Sequence, residues 1–208
     1  MTMRTLAKIV VGLLAVLGLA ALVGSFALGF FGVSAKREPA VYEIKIARSA
    51  RHLLVPAGSR TRLNPVPSDE FVLSRARAHF ADHCATCHAN DGRGDTVYGR
   101  NLYPRAPDLT AAATQTLSDG ELFYFIEQGI RFTGMPGFAT GTPEGELDSW
   151  ELVHFIRRLP RLTQAELDEM RRLNPMSREA LEAELAAEAF LRGGEPPPAR
   201  VPGQTHEH

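Results

Sequence analysis

Cys84, Cys87 and His88 stand together as a C-x-x-C-H in the stretch "FADHCATCHANDGRGD", and the 208-residue chain has no other cysteine. Three chemistries use such a cluster: a closed zinc site, a thiol–disulfide pair, and covalent attachment of a haem. Structural zinc takes four ligands, commonly as two spaced pairs. Here His83, Cys84, Cys87 and His88 fall in one run, and neighbouring residues do not easily reach all four corners of a tetrahedron. A redox C-x-x-C normally opens a helix after a strand, where the helix dipole lowers the thiol pKa. This one follows a helical pattern and runs into a Gly-rich loop. Haem attachment accounts for every residue. The two thiols add to the two vinyl groups on one porphyrin edge, which sets the three-residue step, and the following His88 is the proximal iron ligand.

A haem iron also has a sixth position. Of five methionines, Met1 and Met3 precede a long apolar run, and Met170 and Met176 belong to polar helical sequence. Met135 lies in "TGMPGF", 47 residues beyond His88. Gly134 before it and Pro136-Gly137 after it let the backbone approach a flat ligand and hold the thioether still. A loop methionine that fills a core gap is the plain alternative. Among histidines, His79 and His154 fall on helix faces, and His83 is awkwardly adjacent to Cys84.

Three helical segments must position these loops. One begins at Ser68 as N-cap and carries Phe71, Val72, Arg75, Ala76, His79 and Phe80 on a face leading into Cys84. A second starts at Ser118, with Glu121 at the third position and Gly129 as its stop. A third covers about Leu147 to Leu159 and closes at Pro160. Long Gly- and Pro-rich loops separate them. The pattern is a small all-α domain at 68–160, whose loops are organised by something other than their own packing. Beyond it, Thr163 and Glu166 form a capping box for a short helix to Leu173, and an Ala/Glu/Leu-rich helix follows from Ser177 to Arg192. These two form a helical extension at 161–192. Residues 193–208 read as a disordered tail. Its His206 and His208 could capture a metal ion, but two histidines on such a tail are a weak signal for one.

Leu6 to Val33 carry a single charge, Lys8, and from Ile9 onward 25 residues are uncharged and mostly apolar. That exceeds the roughly 20 residues that span a bilayer as a helix. Residues 1–35 therefore read as an uncleaved transmembrane anchor in contact with lipid over 6–33, with "VSA" at 33–35 as a weak cleavage signal. Arg4, Lys8 and the amino terminus favour a cytoplasmic N-terminus and a periplasmic remainder. Residues 36–67 read as a linker. Within it Tyr42, Ile44 and Ile46 alternate with other residues at the period of a short strand. The linker leaves the domain either mobile or docked by "YEIKIA".

The formal net charge of −1 conceals an asymmetry. Residues 34–105 hold 12 Lys/Arg against 7 Asp/Glu, and 106–208 hold 9 against 17. Such a dipole either orients the protein toward a partner or is simply solvated. Scattered arginines and a slight acidic excess exclude a nucleic-acid surface.

"CATCH", "PDL" at 107–109, "GMPGF" at 134–138 and the terminal "WELVHFIRRL" together resemble a class I mono-haem cytochrome c of the membrane-anchored bacterial type. The resemblance covers about residues 68–160 and implies one covalent haem c per chain. It implies that Ala76 and Phe80 cross the last helix near Phe155. It also implies that the Pro107 carbonyl accepts the Nδ1 proton of His88, with Pro104 as a competing candidate and a simple turn as the plain reading of either proline. Leu109, Phe132, Phe138, Trp150 and Leu152 are expected to bury the porphyrin. Trp150 either donates its N–H to a propionate or only packs. A His88/Met135 pair closes the iron to substrates, which points to electron transfer with redox proteins or a membrane respiratory complex as partners. The alternatives are a haem subunit of a larger oxidoreductase, with the C-terminal helices as docking elements, or a five-coordinate peroxidase or gas-binding protein.

Overall fold

The computed structural model describes residues 3–31, 34–36, 38–176 and 178–193. Among the described residues all regular structure is helical, and none is strand. Val33 of the "VSA" signal, Ser177 and the tail with His206 and His208 lie outside the described residues.

Helix α1, Met3–Phe31, is 29 residues long, or about 44 Å at the α-helical rise. Its Met3–Phe26 portion has a mean hydropathy of 2.6 and none of it is buried, and it is long and apolar enough to cross a membrane.

Helix α2, Val41–Leu54, replaces the expected strand. Alternation at Tyr42, Ile44 and Ile46 covers too few residues to distinguish the two periods. Over the longer window the helix formers Ala47, Arg48, Ala50, Arg51, Leu53 and Leu54 decide. The Glu43 carboxylate reinforces the start by accepting the Ala40 N–H at 2.8 Å.

The residues that follow are laid onto the domain rather than held away from it. Val55 is buried. The short turn Ala57–Arg60 lies against the start of helix α4, Asp119–Gln128. There Ser118 donates its hydroxyl to the Arg60 carbonyl at 2.8 Å. Gly120 sits so close to Ser59 that a β-carbon would fall 1.9 Å from its carbonyl oxygen. Asn64 donates to the Trp150 carbonyl at 2.9 Å, and the His154 ring bonds the Val66 carbonyl at 2.7 Å.

Helix α3, Glu70–His79, is capped by Asp69 rather than Ser68, its carboxylate accepting the Val72 N–H at 2.9 Å. Helix α5, Pro143–Arg158, starts four residues earlier than its apolar periodicity indicates. Its first turn is solvated, so Thr142 as cap and Pro143 as first residue carry the signal instead. Ala76 and Phe80 of the first segment meet α5 at Phe155, with the Phe80 and Phe155 rings 5.1 Å apart. Both phenylalanines are fully buried, each contributing on the order of 2 kcal/mol of hydrophobic stabilisation. Helix α4 has the expected capping box and ends at Gly129, whose φ of 66° is open to glycine at little cost. Its Phe123 stacks on Trp150 at 4.0 Å, with the Arg62 guanidinium 4.5 Å from the Phe123 ring centre.

Helix α6, Gln164–Leu173, is part of this body. Met170 is completely buried in the shared core. Arg77, itself buried, reaches from α3 to Glu166 at 3.6 Å and Glu169 at 2.9 Å. Helix α7, Arg178–Leu191, follows.

Candidate haem site

Helix α3 runs directly into one π-helical turn, Phe80–Cys84, and then a four-residue α-turn, Ala85–His88. Such wider turns recur where a helix must re-aim side chains at a functional site. Ala89, with φ at 59°, ends the turn and swings the chain away immediately after His88.

Both cysteines are half-buried and not joined to each other. Burial, and then the neighbouring Cys87, push the Cys84 thiol up to about 12. The motif follows a helix rather than opening one, so no helix dipole favours a thiolate, the species that zinc or disulfide exchange requires. The His88 pKa is lowered by burial, partly offset by the Pro107 backbone carbonyl acting as acceptor. Of the two candidate prolines, Pro107 is the one whose carbonyl lies toward the ring. Even so, His88 Nδ1 is buried without a partner at full hydrogen-bond geometry, and so is Trp150 Nε1.

The loop between His88 and Pro107 is tightly organised. Gly94 donates to the His88 carbonyl at 2.8 Å, Leu109 to Gly92 at 2.7 Å and Ala106 to Gly99 at 3.0 Å. Thr96 places its hydroxyl on the Cys87 carbonyl at 3.2 Å and caps the turn Val97–Asn101 by accepting the Gly99 N–H at 2.8 Å. At the end of that turn Leu102 packs on Gly134, where a β-carbon would fall 2.5 Å from a Leu102 methyl. A single turn thus links the cysteine loop to the methionine loop.

Met135 is half-buried, in a loop fastened at both ends. Its N–H donates to the Thr133 hydroxyl at 3.1 Å, and its carbonyl accepts from Ile130 at 3.1 Å. Further on, Phe138 donates to Ile126 at 2.9 Å. The competing histidines have other engagements. His154 holds Val66, and His79 packs edge-on against His83, which in turn meets Asp82 at 3.2 Å.

Of the residues expected around a porphyrin, Leu109, Trp150 and Leu152 are buried in one cluster, with Phe138 packed beside it. Phe132 stands in the turn before Met135 with φ at 61°, 91% exposed among the protein atoms. Two positions carried no recognisable sequence signal. Asn174, beyond α6, donates its side-chain amide to the Ala81 carbonyl at 2.7 Å and bonds the Asn90 side chain. It thereby braces both flanks of the C-x-x-C-H. Gly99 approaches the Cys87 carbonyl so closely that a β-carbon would lie 2.3 Å from the oxygen.

A c-type haem suits these residues: it would take up two thiols at this spacing, and it would bring polar propionates to an apolar cluster in which the buried Trp150 N–H has no protein partner. An all-helical domain with this site is a cytochrome c domain. Residues 72–156 match the family model described as cytochrome c oxidase, cbb3-type, subunit III. The chain therefore carries a c-type mono-haem cytochrome domain, whose cofactor is covalently bound haem c and whose chemistry is haem-based electron transfer.

Proposed function

We propose that this chain is an electron carrier tethered to the outer face of the cytoplasmic membrane by an uncleaved α1, with its haem domain in the periplasm. Cys84 and Cys87 hold the haem as thioethers, and His88 and Met135 are the two axial ligands. The bound haem supplies reversible one-electron cycling of iron, and His/Met ligation raises its potential. The Pro107 carbonyl takes the Nδ1 proton of His88, orienting the imidazole and raising its basicity. Trp150 directs its N–H to a propionate. Leu109, Phe138, Trp150 and Leu152 exclude water.

The observation that carries this reading is the turn Val97–Asn101, which lies against Cys87 at Gly99 and leads into Leu102 against Gly134. It ties the two proposed ligand loops together, which supports a Met135 that stays at the iron. A closed iron favours electron transfer over peroxidase or gas-binding chemistry. The matched family model also supports a second reading, in which the chain is a haem-bearing subunit of a membrane oxidoreductase.

The test is Met135→Ala in the full chain. Its expected effects are loss of the thioether-to-iron absorption band, a lower reduction potential, and carbon monoxide binding to the reduced protein, which the unaltered chain resists. An unchanged spectrum overturns the Met135 assignment. Co-purification in mild detergent separates a lone carrier from a subunit.

A further inference from the structure

Helix α2 divides into three faces with different partners. The face carrying Glu43, Ile44 and Arg51 is half-buried against the haem domain. There the Tyr103 hydroxyl donates to Glu43 Oε2 at 2.8 Å, and the Arg51 guanidinium lies 5.5 Å from the Phe125 ring centre. A second face presents Tyr42, Ile46 and Leu53, at helical spacings of four and seven, which are 55%, 66% and 75% exposed. Beside it, a third face exposes Lys45 and Arg48. The helix has one carboxylate, Glu43, and that residue is turned toward the domain.

An exposed apolar stripe flanked by cations, with acids kept off both faces, is the pattern of a helix lying in a membrane interface. The apolar side chains enter the headgroup–acyl boundary while lysine and arginine extend alongside to lipid phosphates. Chain connectivity puts the surface within reach. Residues 32–40 separate Phe31 of α1 from Val41 of α2, and at full extension they span no more than about 32 Å.

We infer that α2 is a surface-binding helix for anionic phospholipid: Tyr42, Ile46 and Leu53 insert into the interface, and Lys45 and Arg48 pair with lipid phosphates. The inference rests on the reading of α1 as a membrane anchor. It replaces a free tether with a wedge: one side of α2 holds lipid and another holds the haem domain through Tyr103 and Phe125. The domain is then presented to its redox partners in a set orientation. Tyr103 follows directly on Leu102, which packs on Gly134. The methionine loop is therefore linked to α2 through two consecutive residues.

The test uses the full haem-loaded chain, reconstituted into vesicles of phosphatidylglycerol and phosphatidylcholine, or of phosphatidylcholine alone. Ile46→Cys and Leu53→Cys carry a nitroxide, and Glu144→Cys serves as an exposed reference on α5. Collision with oxygen and with a water-soluble nickel chelate reports burial in lipid. Expected in anionic vesicles is a several-fold fall in nickel accessibility at 46 and 53 relative to detergent micelles. Adding Lys45→Glu and Arg48→Glu should restore accessibility, with the haem spectrum unchanged. Labels at 46 and 53 as accessible as the reference in anionic vesicles overturn the inference. So does protection that is equal in neutral vesicles and indifferent to the charge reversals, or protection from oxygen and nickel alike, which marks a protein contact. Alkaline carbonate extraction separates the two levels of failure. A chain that stays in the membrane with aqueous labels sinks the surface helix alone, whereas a chain stripped into solution sinks the anchor and the surface helix with it.

Discussion

Asn174 donates its side-chain amide to the carbonyl of Ala81 at 2.7 Å, across 93 positions of sequence, and exchanges hydrogen bonds with Asn90. Ala81 lies in the π-turn before Cys84, and Asn90 lies two residues after His88. One side chain from beyond α6 therefore ties down both ends of the C-x-x-C-H segment.

Removing it should be felt there. Asn174→Ala leaves part-buried polar groups unpaired and is expected to cost about 1–3 kcal/mol. Denaturant unfolding followed by haem absorbance should show a lower midpoint with an unchanged slope. A midpoint equal to that of the unaltered chain would mean that the brace contributes nothing.

Gly99 is the second sensitive position. A β-carbon there meets the Cys87 carbonyl at 2.3 Å and the Gly94 carbonyl at 2.4 Å, and both are backbone atoms that cannot rotate away. Gly99→Ala should cost at least the roughly 1–3 kcal/mol typical of overpacking. It should also lower the fraction of chains that acquire haem, as read on a haem-stained gel. Full haem loading and unaltered stability would contradict the packing described.

The α6 cap makes stability depend on acid. Burial of Glu166 by itself raises its pKa, but the Thr163 amide and hydroxyl and the Arg158 guanidinium outweigh it, and the net shift is downward. A carboxylate depressed on folding stabilises the native state above its ordinary pKa and loses that contribution as pH falls through the lower folded value. Asp108, held down chiefly by the Thr110 hydroxyl, acts in the same window. Unfolding free energy should therefore decline below about pH 4.5, where free carboxylates begin to protonate. Glu166→Gln should flatten that decline, and an identical slope in the variant would remove Glu166 from the account.

Trp150 tests the polar side of the pocket. Trp150→Phe keeps an aromatic ring against Phe123 and deletes the buried N–H that has no protein partner. The smaller ring should cost on the order of 1 kcal/mol. With the donor gone, a propionate keeps more of its negative charge, so the reduction potential should fall while the axial-ligand spectrum stays the same. A potential that does not move assigns Trp150 to packing alone.

The helices around the site were legible because their signals are local. Ser118 with Glu121, Thr163 with Glu166, and the stop at Gly129 each act within one turn. The same locality misled at α2, where three alternating residues imitate a strand until the window reaches Leu54. It also hid the start of α5, whose first turn is polar because it faces water.

The cofactor and the motif proposed to attach it were legible in the sequence itself. Covalent chemistry requires two thiols and an imidazole at a set spacing, and that spacing survives whatever the rest of the chain does. Tertiary structure decided what surrounds them. Gly99 lies on Cys87, Leu102 on Gly134, and Asn174 on both flanks of the motif, because packing joins residues without regard to their distance along the chain. No periodicity encodes such contacts, and they appear only once the helices have closed on one another.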